Sequence, residues 1–243
     1  MSYALNKKYL ATTLTLLLGA TAALATGAAN AQQSPLYVGV SAGQAKYDFD
    51  FAGQVRSAIK PTEGFNVTST SVDDKDTGFK LTVGYTVLPW LALEADYVNL
   101  GKVKTSYSFT STTGLDSYTR SGTYKVNGLN LAALASTNLN ESVSIYGKVG
   151  LLYSKYEYSE SGTNVIGFQP SPVPPVHSFT AADIKRSKLS YGLGVDWHLQ
   201  KNMSLRFAWD RYTDIGNDFS NTESGNGKFD NVDLVSAGLI VRF

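Results

Sequence analysis

Residues 77–87 constrain this chain more than any other stretch. Phe79, Leu81, Val83, Tyr85 and Val87 fall on one face of an extended strand, and Lys80, Thr82, Gly84 and Thr86 fall on the other, because successive side chains of a strand point to opposite faces. Residues 189–199 repeat the pattern, setting Leu189, Tyr191, Leu193, Val195 and Trp197 against Ser190, Gly192, Gly194 and Asp196. Further segments of this kind lie near 36–47, 91–101, 124–136, 143–156, 203–212 and 234–243. Ten residues rising about 3.3 Å each at a tilt near 40° cross roughly 25 Å, the height of the apolar band of an outer-membrane barrel. A soluble β-sandwich also alternates, but its outer face is charged. Here the less apolar face is mostly Gly, Ser and Thr with isolated charges, which suits the lumen of a narrow barrel.

The links between segments give an orientation. Those at Leu88-Pro89-Trp90, Thr137 to Glu141 and Gln200 to Asn202 are short, whereas those near 48–76, 102–123, 157–188 and 213–233 are long and polar. The two kinds alternate, and both ends of the strand series fall on the short side. Outer-membrane barrels keep short turns in the periplasm and long loops outside. Aromatic residues fit two girdles at the interfaces: Tyr37, Trp90, Trp197 and Phe243 towards the periplasm, and Tyr47, Tyr97, Tyr153, Trp209 and Tyr212 towards the exterior.

The amino terminus sets the compartment. Lys7 and Lys8 precede an apolar run from Leu10 to Ala25, and small residues lead to Ala29-Asn30-Ala31. A positive start, a short apolar middle and an A-x-A site form a secretory signal peptide, expected to be cleaved after Ala31 and to leave 32–243 as one barrel domain. Beyond that leader no apolar run is long enough for a helical span. The sequence has no Cys, which excludes disulfides, thiolate metal sites and Cys nucleophiles. Its 21 basic and 20 acidic residues give no support to nucleic-acid binding.

Three stretches carry a family resemblance. Gly84 to Glu94 looks like the first periplasmic turn and third strand of the OmpA-like transmembrane-domain family of eight-stranded barrels. Leu205-Arg206-Phe207-Ala208-Trp209 followed by Asp214-Ile215-Gly216 resembles its seventh strand and last loop, and Leu239 to Phe243 resembles its closing strand. The resemblance implies that Phe243 is a signal for the outer-membrane assembly machinery. It also implies that this chain lacks the peptidoglycan-binding domain that often follows the barrel.

Parity points Glu94, Lys148, Asp196 and Arg206 into the lumen. An eight-stranded barrel is just wide enough for side chains to fill it, and a buried ion without a partner costs several kcal/mol. Two acids and two bases therefore pair. The resemblance implies the same, since family members carry acid, base, acid and base at matching positions and their ion pairs have been proposed as a gate. The pattern departs where Leu134 and Ala208 replace a further Lys and a further acid. Inward Leu134 and Ile240 argue for a filled lumen.

The loops offer little chemistry. Asp73-Asp74-Lys75-Asp76 lacks the Gly turn and terminal Glu of a Ca²⁺ loop, so no metal and no cofactor is expected. The run Gln169 to Pro175 favours polyproline II and resists strand pairing; it would stiffen a surface loop for contact with a host or phage partner. His177, with Ser178 and Asp183, sits in that irregular loop, and His198 sits at the periplasmic end, so no catalytic site is expected. The expectation is a bacterial outer-membrane barrel surrounded by lipid and lipopolysaccharide, with a structural and envelope-integrity role and interacting loops. The alternative is a narrow, low-conductance pore for ions or small solutes, gated by lumen ion pairs.

Overall fold

In a computed structural model of the protein, the eight alternating segments become eight strands hydrogen-bonded edge to edge in a closed antiparallel ring. The structure describes residues 35–48, 50–167, 169–170, 186–215 and 231–243. The leader and its cleavage site, the proline run from Ser171 onward, and His177, Ser178 and Asp183 lie outside those residues.

The chain runs through β1 (Leu36–Tyr47), helix α1 (Phe51–Ala58), β2 (Phe65–Asp73), β3 (Lys75–Leu88), β4 (Leu91–Ser111), β5 (Ser117–Asn138), β6 (Val143–Ile166), β7 (Gln169–Pro170), β8 (Arg186–Gln200), β9 (Met203–Thr213) and β10 (Asn231–Arg242). The wall is β1-β3-β4-β5-β6-β8-β9-β10, and β10 closes on β1 from Tyr37↔Arg242 to Tyr47↔Val232. Strands β2 and β7 lie outside the ring, on upper β4 and the end of β6.

Parity divides the wall as the alternation requires. Leu81, Val83, Leu93, Leu131, Val149, Leu151, Leu193 and Phe207 all face outward and are exposed. A belt of that size cannot stay in water as a monomer's surface, but it matches the hydrocarbon of a bilayer. Trp90, Trp197, Tyr97 and Tyr153 stand exposed at its margins. Tyr37, Tyr47 and Tyr212 do not belong to those girdles: they share parity with Ser41, Ala45 and Asp210, and all three are buried inside the barrel.

The wall is twice as tall on one side. β4, β5 and β6 hold 21, 22 and 24 residues, whereas β1, β9 and β10 hold 12, 11 and 12. The expected loop over 102–123 is instead the upper half of a β4–β5 hairpin, paired to Thr110↔Ser117 and closed by a short link. The first loop also carries structure. Asp50 caps α1 by accepting from Gly53 N, and Phe51 and Val55 are buried. On the raised sheet Phe109 stacks on Tyr118 at 4.7 Å, and Phe65 meets both edge-on.

One bulge makes the hairpin possible. Register shifts between Asn99 and Lys102, where Gly101 has φ +76° and its N–H donates to Asn99 Oδ1. Below it the even residues Glu94, Asp96, Val98 and Leu100 are buried. Above it the odd residues Val103 and Thr105 are.

Candidate functional site

The lumen holds two ionic layers and an apolar plug. The first layer lies nearest the short turns. Arg206 reaches in from the start of β9 and donates Nε and Nη2 to the two oxygens of Asp196 at 2.7 and 2.9 Å, while Nη1 donates to Glu94 Oε1. The planar fork of a guanidinium suits such bidentate contact. The guanidinium also lies 4.5 Å from the centre of the Tyr146 ring, and the Tyr37 hydroxyl donates to Glu94 Oε1 at 2.8 Å. Gly84 sits across from Tyr37, and Gly194 across from Tyr146. A Cβ at Gly84 would fall 2.0 Å from the Tyr37 ring and one at Gly194 2.4 Å from that of Tyr146. The bare backbone is what lets each ring lie flat over the wall.

The second layer is deeper. Lys80 Nζ lies 2.7 Å from Asp210 Oδ2, and Lys148 Nζ lies 2.9 Å from Asp210 Oδ1 and 3.3 Å from Asp96 Oδ2. Asp96 also accepts from the Thr82 hydroxyl at 2.6 Å and from Asn130 Nδ2 at 3.2 Å, and Ser190 donates to Asn130 Oδ1. All four charges are almost fully buried. Arg242 joins the first layer from the mouth, 3.7 Å from Asp196. Four cations thus face four carboxylates among the described residues, as burial of ions requires.

The sequence-chosen residues are therefore split. Glu94, Asp196 and Arg206 meet; Lys148 belongs to the next layer with three partners not singled out. Lys80, Asp96 and Asp210 were within reach of the same parity rule. Lys80 sits on the inward face of residues 77–87, Asp96 two residues after Glu94, and Asp210 four after Arg206. Asp210 lies one inward position along β9 from Ala208, and Lys80 brings a further base from β3 to the same carboxylate.

Above these layers the lumen turns apolar, where the alternation led to the expectation of an inner face mostly of Gly, Ser and Thr with isolated charges. Tyr47, Val98, Leu100, Val103, Tyr124, Val126, Leu152, Tyr156, Tyr212, Val232 and Leu234 close into one cluster with Ala45 and Ile215. The Tyr47 hydroxyl donates to the Leu100 carbonyl at 3.1 Å. At the opposite end a recess of about 390 Å³ opens between the short turns, bordered by Tyr146, Asp196, His198, Arg206 and Arg242. His198 Nε2 is 2.6 Å from Ser144 Oγ and Nδ1 is 2.8 Å from Ser204 Oγ, which also accepts from Arg242. Two buried groups of the first layer, Glu94 Oε2 and the Tyr146 hydroxyl, have no hydrogen-bond partner.

Residues 12–243 match the family model described as outer membrane protein beta-barrel domain. A search of curated proteins found no match. Among solved structures, the chain is similar to Neisserial surface protein A, at 16% identity over 88% of this chain and 100% of that one, TM-score 0.45. It is also similar to the attachment invasion locus protein Ail of Yersinia pestis (15%, 85% and 98%, TM-score 0.40) and to the N-terminal β-barrel domain of OprF from Pseudomonas aeruginosa (9%, 87% and 100%, TM-score 0.41).

Proposed function

The chain belongs to the outer membrane protein beta-barrel domain family, and from that premise we propose that it is a closed barrel that supports the envelope and presents a raised sheet outside the cell. The observation that carries this reading is the filled lumen. Two layers of paired ions and a plug of aliphatic and tyrosine side chains occupy its height, and an eight-stranded wall leaves no bypass. The raised parts of β4, β5 and β6 with β2 add a firm, aromatic-bearing surface where a host or phage partner would dock. The reading includes leader cleavage after Ala31, recognition of Phe243 by the assembly machinery, and no catalytic role. For the last point, His198 is held by the neutral Ser204 hydroxyl rather than by a carboxylate, and it stands beside Arg242. An imidazole so placed is a poor general base.

A narrow pore is the second reading. It is favoured by Glu94 Oε2 and the Tyr146 hydroxyl, unpartnered groups beside which Arg206 could take up another arrangement. Re-pairing there would open only the lower half. Liposome swelling and planar-bilayer recording of the purified barrel decide between the two. Under the closed reading the barrel gives no solute-dependent swelling and no steady conductance. A wild-type conductance that Glu94→Ala abolishes would establish the pore instead.

A further inference from the structure

The recess between the short turns has two unlike sides. Leu91, Ala92 and Leu134 border it from β4 and β5, while Ser144, Lys201 and Arg242 border it from β6, the turn after β8, and β10. Its volume of about 390 Å³ admits a molecule of a few carbon atoms. Its charge is unbalanced. Arg206 occupies both oxygens of Asp196 and also reaches Glu94. Arg242 is left 3.7 Å from Asp196, with a third of its side chain exposed. Lys201 has no ion pair among the described residues. The cations Arg206, Arg242 and Lys201 therefore meet only Asp196 and Glu94 here. Neither Glu141, exposed in the β5–β6 turn, nor Phe243 borders the recess.

Hydrogen bonds link the groups of the polar side. Arg242 Nη1 donates to Ser204 Oγ at 2.8 Å. Ser204 Oγ lies 2.8 Å from His198 Nδ1, and His198 Nε2 lies 2.6 Å from Ser144 Oγ. A guanidinium only donates, whereas a hydroxyl gives one proton and accepts through its oxygen. A file that starts at Arg242 can therefore run one way, with Ser204 donating to Nδ1 and the ring donating from Nε2 to Ser144. The Ser144 hydroxyl, on a residue only 6% exposed that borders the recess, then keeps its own proton for a ligand.

We propose that the recess is a binding site for a short-chain carboxylate. Its carboxyl group would be drawn to Arg242 and Lys201 and would accept from the Ser144 hydroxyl, a charge-assisted contact. Its carbons would lie on Leu91, Ala92 and Leu134. Sulfate would meet the cations but leave the apolar side wet, and an alcohol of the same length would do the reverse. The recess opens at one mouth, so the proposal goes beyond the closed-barrel reading without requiring a pore.

The test titrates the full barrel in lipid nanodiscs with acetate, propionate and butyrate and follows the backbone amides of Asn138, Ser144, His198 and Lys201 by NMR. Affinity should rise about fourfold for each added methylene, as burial of that group implies. Sulfate and 1-butanol should each bind roughly tenfold more weakly than butyrate, since each forgoes one side of the site. Ser144→Ala should weaken butyrate about tenfold through loss of a hydrogen bond to a charged group. Lys201→Gln, on an exposed turn, should weaken it about threefold. Lys60→Gln, an exposed lysine next to α1, should change nothing. In the butyrate complex of a His177→Asn variant, the ¹⁵N shifts of the remaining imidazole should place the neutral ring's proton on Nε2. Shifts confined to belt residues such as Val149 and Leu193, equal binding of butyrate and 1-butanol, sulfate as strong as butyrate, indifference to both Ser144→Ala and Lys201→Gln, or a proton on Nδ1 overturns the proposal.

Discussion

Towards the short turns the lumen is filled by Arg206, Glu94 and Asp196 and then by Lys80, Lys148, Asp96 and Asp210. Towards the raised sheet it is filled by Leu100, Leu152, Leu234 and a group of tyrosines. Both halves are closed, but the first combines directed ionic contacts with a small apolar cluster of Tyr37, Ala92, Leu134, Tyr146, Ala208 and Ile240, and the second closes through volume alone. An ionic layer is intolerant of error, because a carboxylate that loses its cation stays buried and charged. An apolar plug tolerates substitution by degrees, since what is lost is contact area and cavity. The lower half therefore punishes any slip in strand register, and the upper half seals.

That contrast is most exposed at Arg206. Arg206→Met leaves Glu94 and Asp196 unneutralised and should destabilise the barrel by about 3–5 kcal/mol, read by denaturant unfolding in vesicles with Trp fluorescence. Adding Glu94→Gln and Asp196→Asn should recover most of the loss, because the one charge then left in the layer is Arg242, part-exposed at the mouth. Equal instability of the single and triple variants would mean that the layer acts by packing alone, and the distinction between the halves would fall.

In the plug the corresponding change is Leu152→Ala. It should cost about 3 kcal/mol through lost transfer energy and an unfilled cavity, and no charge change elsewhere should repair it. Leu152 shares no partner with Arg206, so the two losses should add to within about 0.5 kcal/mol. A double-variant unfolding series measures this. Strong coupling would show that the halves are one cooperative unit rather than two kinds of filling.

Much of this was legible in the chain. Strict alternation marked all eight wall strands, and parity alone sent Glu94, Lys148, Asp196 and Arg206 inward. Tyr37, Tyr47 and Tyr212 stand near strand ends as girdle aromatics do, but the parity test groups them with Ser41, Ala45 and Asp210, inside the barrel. Asp96 and Asp210 were legible by the same test. The upper hairpin was harder. Residues 102–110 do alternate, with Val103, Thr105, Tyr107 and Phe109 against Lys102, Lys104, Ser106 and Ser108. Their apolar residues keep the odd parity of Leu91, Leu93 and Tyr97, but the bulge at Gly101 turns that parity from the outer face to the inner one. Rich in Ser and Thr and broken at Gly101, the stretch reads as a loop. Side-chain pairing between layers is a matter of three-dimensional reach, and no spacing rule contains it.

Gly101 is where the two halves are joined, and it supports the smallest effect expected here. Its positive φ marks one extra residue in β4, so Lys102 and Lys104 are exposed while Val103 turns in to the plug. Without that residue the even parity of Glu94 to Leu100 would continue, and two lysines would point into the apolar cluster. Gly101→Ala keeps the count but places a Cβ in the left-handed region, 2.8 Å from the Thr77 carbonyl oxygen and Asp76 Cβ. A non-glycine residue there costs about 1–2 kcal/mol. The strain is local to the bulge, so the unfolding midpoint of the wall should move little. Amide exchange above the bulge, in residues 103–125, should quicken by roughly a factor of ten, as a loss near 1.4 kcal/mol implies. Uniform acceleration through β4 and β5 would instead mean that the hairpin and the wall open together, and the bulge would not be the joint between them.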